Sequence, residues 1–191
     1  LADQMANKGT LWCSDRSHRR LDTLKRRFGR AQLYNYRLAP WESPDTLPTK
    51  TKFDGILVDA PCSGIGTWAR NPDARWTTTA QDVEELSSVQ RGLLDKVAGS
   101  LKPGGRLIYA VCTLARRETT DIAAAFSAAH PELAPIALPA SGSGAAPESG
   151  AARERGDSEP ASRLSPLNSG LVLWPQDLHA NGMFVAAWQR K

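Results

Sequence analysis

Cysteine is scarce in this chain. Cys13, Cys62 and Cys112 are the three in 191 residues, far apart and never paired as Cys-x-x-Cys. That count and spacing argue against a disulfide framework or a metal site of the zinc type. They fit a reducing, cytoplasmic setting. No apolar run approaches the length of a membrane span, so no membrane partner is expected. The opening Leu1-Ala2-Asp3-Gln4-Met5 has neither the basic region nor the cleavage signal of a secretory leader, and no initiator Met. It reads as the middle of a helix, so further sequence is expected upstream. There is no internal repeat. A chain of this length with ordinary apolar content fits one domain with a real core.

Charge is present but uneven. Of the net +4, residues 1–40 carry nine Lys/Arg against three Asp/Glu. Arg19, Arg20, Lys25, Arg26, Arg27 and Arg30 read either as a solvated helix face or as a patch for nucleic-acid phosphates. Charge alone leaves both readings open.

Strands and helices alternate along the chain, as in an α/β protein with a parallel sheet and crossover helices. Leu1–Asn7 is expected to end a helix that Lys8-Gly9 closes. Thr10–Ser14 is expected as a strand, Ser17–Phe28 as a basic helix, and Ala31–Tyr36 as the next strand. Phe53–Ala60 is apolar enough to be a central strand buried on both faces. Val83, Leu86, Val89, Leu93, Leu94 and Val97 predict a helix over Thr78–Leu101. Lys102-Pro103-Gly104-Gly105 then turns into the strand Arg106–Cys112. A helix over Arg116–Ala129, with Ile122, Ala125 and Phe126 inward, and a strand at Leu133–Leu138 follow. Residues 139–166 are rich in Ala, Ser, Gly, Pro and Glu, with almost no large apolar side chains. They are expected to form a disordered insertion. Order resumes at Leu171-Val172-Leu173-Trp174, and Gly182–Gln189 is the final strand.

Two of the cysteines end apolar strands. Cys62 lies in Asp59-Ala60-Pro61-Cys62-Ser63-Gly64, after Phe53–Val58, and Cys112 follows Arg106–Val111. Strand C-termini are where open α/β sheets bind ligands. Two thiols and a carboxylate there suit covalent chemistry on an electrophilic ring. Carbon 5 of cytosine is a poor nucleophile until a thiolate adds to carbon 6. The ring is then enamine-like and takes a methyl group from a sulfonium donor. Asp59 could hydrogen-bond the ring as charge builds, and a second thiol or a water could assist release. The bland alternative is that both thiols are small buried hydrophobes.

Residues 53–76, from Phe53-Asp54-Gly55 through Asp59-Ala60-Pro61-Cys62-Ser63-Gly64 to Arg75-Trp76, resemble the hallmark segment of the Sun/Fmu family of RNA cytosine-5 methyltransferases. Leu101–Leu114 resembles that family's second cysteine motif, and Trp174–Ala186 its closing strand. The resemblance implies a Rossmann-like class I S-adenosylmethionine-dependent methyltransferase fold. It implies S-adenosyl-L-methionine as cofactor and RNA, ribosomal RNA first, as partner; the sequence is silent on oligomeric state, for which a monomer is the default expectation. Residue by residue it makes Cys112 the nucleophile, Cys62 the group that releases product, and Asp59 an acid between cofactor and base. Pro61 shapes the turn, and Asp15 is the acid for the cofactor's ribose hydroxyls. Without the resemblance Asp15 reads equally as the N-cap of Ser17–Phe28.

Arg70, Asp73, Arg75 and Trp76 either touch RNA or brace their loop, with Trp76 in the core. His179 and Asn181 read as a structural turn. The target base must be single-stranded or flipped. The family's first strand and Gly-rich loop would precede Leu1, so residues 1–191 are expected to be a shortened catalytic domain that binds the cofactor weakly or not at all. No acid occupies Tyr34–Pro40, where Asn35 is the polar substitute for an adenine-binding acid. Val111 replaces the family's usual Thr. Two alternatives remain: a non-catalytic RNA-binding or assembly protein, and a methyltransferase acting on an exocyclic amine, against which Cys62 counts.

Overall fold

The computed structural model describes residues 1–43, 46–138, 166–167 and 170–191. The expected insertion at 139–166 lies outside them apart from Pro166. The chain divides into two compact units, Leu1–Thr51 and Lys52–Lys191.

In the first unit, residues 1–7 form hydrogen-bonded turns and not the expected helix end. Ala6 and Asn7 adopt φ of 48° and 58°, a left-handed pair that no α-helix continues through. Strand β1 (Leu11–Cys13) runs parallel to β2 (Tyr36–Leu38), with Leu11 opposite Tyr36. Between them lies helix α1 (His18–Arg30), capped by the Ser17 hydroxyl, which accepts from the Arg20 amide. The strand expected at Ala31–Tyr36 begins only at its last residue. The amides of Ala31, Gln32 and Leu33 still donate back to carbonyls of α1, and Gln32 turns left-handed at φ 53°. Leu21 is buried, and Phe28 packs edge-on to Tyr36 at 4.8 Å between ring centres.

The second unit holds a sheet in the order β3 (Phe53–Asp59), β4 (Leu101–Val111), β8 (Met183–Arg190), β7 (Gly170–Leu173), β6 (Pro166–Leu167). β5 (Leu133–Pro135) also pairs with β8. The pair β3–β4 is parallel and every pairing of β8 is antiparallel, so the sheet is mixed where a parallel one was expected. Among the described residues β3 pairs with β4 alone. Leu57 is 49% exposed, so β3 is not buried on both faces. Apolarity in a sequence reports a preference for burial; it does not report a strand's place in the sheet.

Helix α3 (Ala80–Ala98) connects β3 to β4, preceded by the short α2 (Ala74–Thr77). It opens with a capping box. The Thr79 hydroxyl accepts from the Asp82 amide, and the Asp82 carboxylate accepts from Thr79 N–H. Lys102-Pro103-Gly104-Gly105, expected as a turn, forms a bulge inside β4. The register jumps there from Phe53 opposite Leu101 to Gly55 opposite Arg106. A Cβ on Gly105 would lie 2.8 Å from the Lys102 carbonyl, so glycine is required.

Beyond the bulge β4 alternates cleanly. Leu107, Tyr109 and Val111 are buried, paired with Trp188, Ala186 and Phe184 of β8. The buried side of the helical layer includes Leu94 and Val97 of α3 with Ile122, Ala123 and Phe126 of α4 (Thr120–Ala129). Trp188 packs on Phe126 at 4.8 Å and donates its indole N–H to Ser127 Oγ at 2.8 Å. α3 presents the predicted face except at Val89, and adds two polar residues to it. Val89 is 47% exposed, while Ser87 and Gln90 are buried with Leu94 and Val97. The last helix, α5 (Pro175–Leu178), is a single turn.

Candidate active site

β3 and β4 run side by side, with Asp59 opposite Ala110, and release their chains at the same sheet edge. The Ala60 amide donates to the Ala110 carbonyl at 3.2 Å, so the pairing continues one residue past β3. Pro61 and Cys62 follow on one side and Cys112 on the other. Cys62 Sγ and Cys112 Sγ lie 3.5 Å apart. Both thiols are free and half-buried. Asp59 ends β3 exposed.

The loop after Cys62 is fastened to Cys112 through its backbone. Gly64 turns left-handed at φ 69° and starts a 3₁₀ turn, Ile65–Thr67. The Gly66 amide donates to the Cys112 carbonyl at 3.1 Å, and the Gly66 carbonyl accepts from the Gly182 amide at 2.8 Å. A Cβ on Gly66 would fall 2.1 Å from the Gly182 oxygen and 3.0 Å from the Cys112 oxygen. Three segments therefore meet at one glycine: the Cys62 loop, the Cys112 strand end and the lead-in to β8.

Behind the thiols lies a residue that sequence reasoning missed. Glu118 is fully buried. Its Oε1 accepts from the Ser63 amide at 2.8 Å and from Gln90 Nε2 at 3.0 Å. Its Oε2 accepts from Thr113 Oγ1 at 2.9 Å and from the Ser63 hydroxyl. Gln90 also donates to the Pro61 carbonyl at 2.9 Å, and Tyr109 Oη donates to the Glu118 backbone carbonyl at 2.7 Å. In the sequence Glu118 stands in Arg116-Arg117-Glu118, which looks like a charged surface turn. The available signal was that each cysteine precedes a hydroxyl residue, Ser63 or Thr113, and buried hydroxyls need partners.

Electrostatics separates the two thiols. Burial and the adjacent Cys112 push the Cys62 thiol up to about 12. Near neutral pH Cys62 is therefore a thiol with a proton to donate. Burial, with Cys62 and Glu118 nearby, pushes Tyr109 upward too, which keeps its hydroxyl a donor.

The remaining predicted residues divide. Asp15 is not the N-cap of α1; that role belongs to Ser17. Asp15 Oδ1 accepts from the Ser17 amide at 2.7 Å, and Oδ2 lies 3.4 Å from Arg20. A carboxylate has about four acceptor positions, so Asp15 retains capacity for a ligand's hydroxyls. Asn35 donates to the Lys8 carbonyl at 3.0 Å, so its amide nitrogen is occupied within the first unit. Trp76 is 81% exposed with Arg75 over its ring at 5.5 Å, so it is not in the core. Arg70 and Asp73 are exposed beside it. His179 adopts a left-handed φ of 48°, as a structural turn requires. Among the described residues no group of three His, Cys, Asp or Glu is placed to hold a metal ion, and no helix is long and apolar enough to cross a membrane.

A family model described as 16S rRNA methyltransferase RsmB/F matches residues 1–189. The ribosomal RNA small subunit methyltransferase B of Yersinia pseudotuberculosis serotype O:1b (strain IP 31758) is 35% identical over 130 residues, 68% of this chain and 30% of that protein. The counterpart from Yersinia pestis bv. Antiqua (strain Angola) matches equally. The alignment thus spans under a third of the length of these relatives. Among solved structures, PH0851 superposes with a TM-score of 0.77 at 27% identity, over 100% of this chain and 39% of that one. NSun6 from Pyrococcus horikoshii, solved with SFG, gives a TM-score of 0.74 at 22% identity, over 99% of this chain and 43% of that one. The fold is the Rossmann-like class I methyltransferase fold.

Proposed function

The chain belongs to the RsmB/F family of 16S rRNA methyltransferases, and we propose that it serves to methylate carbon 5 of a cytosine in ribosomal RNA through a covalent cysteine–cytosine intermediate. S-adenosyl-L-methionine supplies the methyl group. Asp15, at the end of β1 with acceptor capacity to spare, is the residue suited to ribose hydroxyls.

Cys112 Sγ, as thiolate, bonds to carbon 6 of the cytosine, and the ring's electron density moves to carbon 5. Asp59 hydrogen-bonds the ring as that charge develops. After methylation carbon 5 loses its proton to a base, the sulfur–carbon 6 bond breaks, and Cys112 leaves with the bonding pair. Cys62, held as a thiol 3.5 Å away, donates its proton toward the departing sulfur. Arg70 and Arg75 are suited to phosphate, and exposed Trp76 to stacking on a base.

The observation that carries this reading is the 3.5 Å approach of two thiols from motifs 50 residues apart. The test is methyl transfer into small-subunit rRNA by the intact protein, followed by nucleoside mass spectrometry. The expected product is 5-methylcytidine, lost in Cys112→Ala. Methylation of the exocyclic amine, or full activity in Cys112→Ala, would overturn the reading.

A further inference from the structure

We propose that Glu118 is the positioning residue of the thiol pair: its buried carboxylate ties the Cys62 and Cys112 turns into one rigid piece and so sets the distance between the two sulfurs. The inference rests on the two-thiol reading for its consequence in catalysis, but its geometric content stands apart from that reading.

Among the described residues Glu118 makes no ion pair, and a buried carboxylate without one there must be held by donors. Four donors converge on it: the Ser63 amide, the Ser63 hydroxyl, the Thr113 hydroxyl and the Gln90 amide. They fill the four acceptor positions of a carboxylate. Ser63 follows Cys62 directly and Thr113 follows Cys112 directly, so Oε2, which accepts from both hydroxyls, spans the two motifs, while Oε1 holds the Cys62 side through the Ser63 amide and Gln90. The Ser63 and Thr113 hydroxyls also meet at 2.9 Å. Gln90 adds the third side, bridging Glu118 to the Pro61 carbonyl just before Cys62. Backbone strand pairing alone stops at Ala60 and resumes at Gly66. Between those points Glu118, with the Ser63–Thr113 hydroxyl contact and the meeting of the sulfurs themselves, is what spans the two turns. The requirement is geometric because a misplacement of about 1 Å in a reacting group costs about 100-fold in rate.

The two obvious substitutions separate position from charge. In Glu118→Gln the side-chain oxygen still accepts from Ser63 and Gln90. The new amide can donate to the Ser63 and Thr113 hydroxyls, which rotate to accept. In Glu118→Ala four donors lose their acceptor.

The experiment uses the intact protein in a Cys13→Ser background and reads the sulfur geometry directly. Diamide oxidises Cys62 and Cys112 to a disulfide; the two thiols lose two electrons and two protons, which reduce diamide to its hydrazine. The rate is followed by mass spectrometry of the linked peptides. Rapid closure is expected in the parent and in Glu118→Gln, with closure slowed about ten-fold or more in Glu118→Ala, on the scale that a 1 Å displacement implies. In rRNA methylation, kcat should fall about 100-fold in Glu118→Ala while KM changes little, and Glu118→Gln should recover most of it. If Glu118→Ala does not fold, Thr113→Val removes one of the four donors and should slow closure by a smaller factor. Disulfide closure at the parent rate in both Glu118→Ala and Thr113→Val would overturn the proposal whatever the enzyme methylates. Slowed closure in a protein that makes no 5-methylcytidine would uphold it and overturn the functional reading instead.

Discussion

In Lys52–Lys191 the decisive polar groups are buried and bonded to one another, whereas in Leu1–Thr51 they are charged and exposed. Glu118, Gln90 and Thr113 are fully buried at the end of a sheet whose strands reach eleven residues. The first unit has two strands of three residues and a helix with six Lys/Arg among its thirteen residues. Its buried apolar side chains are Ala2, Leu21 and Ala39. The difference matters for how each can act. A buried, mutually bonded network fixes distances, which suits bond making. An exposed basic face attracts phosphate without fixing anything, which suits affinity. The same contrast separates Cys62, locked at a strand end beside a second thiol, from Cys13, a lone half-buried thiol in β1 whose ionisation burial disfavours.

If that division is right, substitutions in the second unit should cost stability and those on α1 should not. The largest effect is expected from Trp188→Ala, which empties the centre of the β4–β8 face and unpairs Ser127. Chemical denaturation should show a loss of about 3–5 kcal/mol. Gly66→Ala comes next. The added methyl collides with the Gly182 and Cys112 carbonyls, and overpacking of this kind costs about 1–3 kcal/mol. Because the displaced carbonyl belongs to Cys112, activity should fall further than stability.

On α1, Arg19→Ala and Arg26→Ala should leave stability within about 0.5 kcal/mol. Each should reduce the slope of log affinity for RNA against log salt by about 1. An unchanged slope would make α1 a solvated face and confine RNA binding to the second unit.

The smallest effect is a pH dependence at the far end of the sheet. Burial disfavours the His130 imidazolium, but Asp95 and Glu132, each 3.0 Å from a ring nitrogen, outweigh it and raise its pKa above the ordinary value. The stabilisation is complete below the unfolded value of about 6.5 and is lost as pH rises through the folded value. Both carboxylates are about half exposed, so the difference between the parent and His130→Ala should be at most about 1 kcal/mol and shrink with salt.

What the sequence disclosed follows the same division. The strands leading to Cys62 and Cys112 and the helices α3 and α4 were legible because their signals are local: apolar runs and apolar residues at helical spacing. The polar part of the inward face of α3 was not. Gln90 is buried because Glu118, 28 residues away, needs its amide, and no periodicity reports that. Glu118 itself was hidden between two arginines and a threonine. β2 was misplaced by a continuation of helix-end hydrogen bonds through Leu33, and the antiparallel β8 could not be told from a parallel strand by composition. The N-cap reading of Asp15 gives way to Ser17, which holds the cap of α1.

The central claim is that Cys112 adds to the base and Cys62 releases it. It is tested most directly by incubating each alanine variant with small-subunit rRNA and S-adenosyl-L-methionine and running denaturing gels. Cys62→Ala should accumulate a covalent protein–RNA band, and Cys112→Ala should show none. A stable band in Cys112→Ala with none in Cys62→Ala would contradict the assignment.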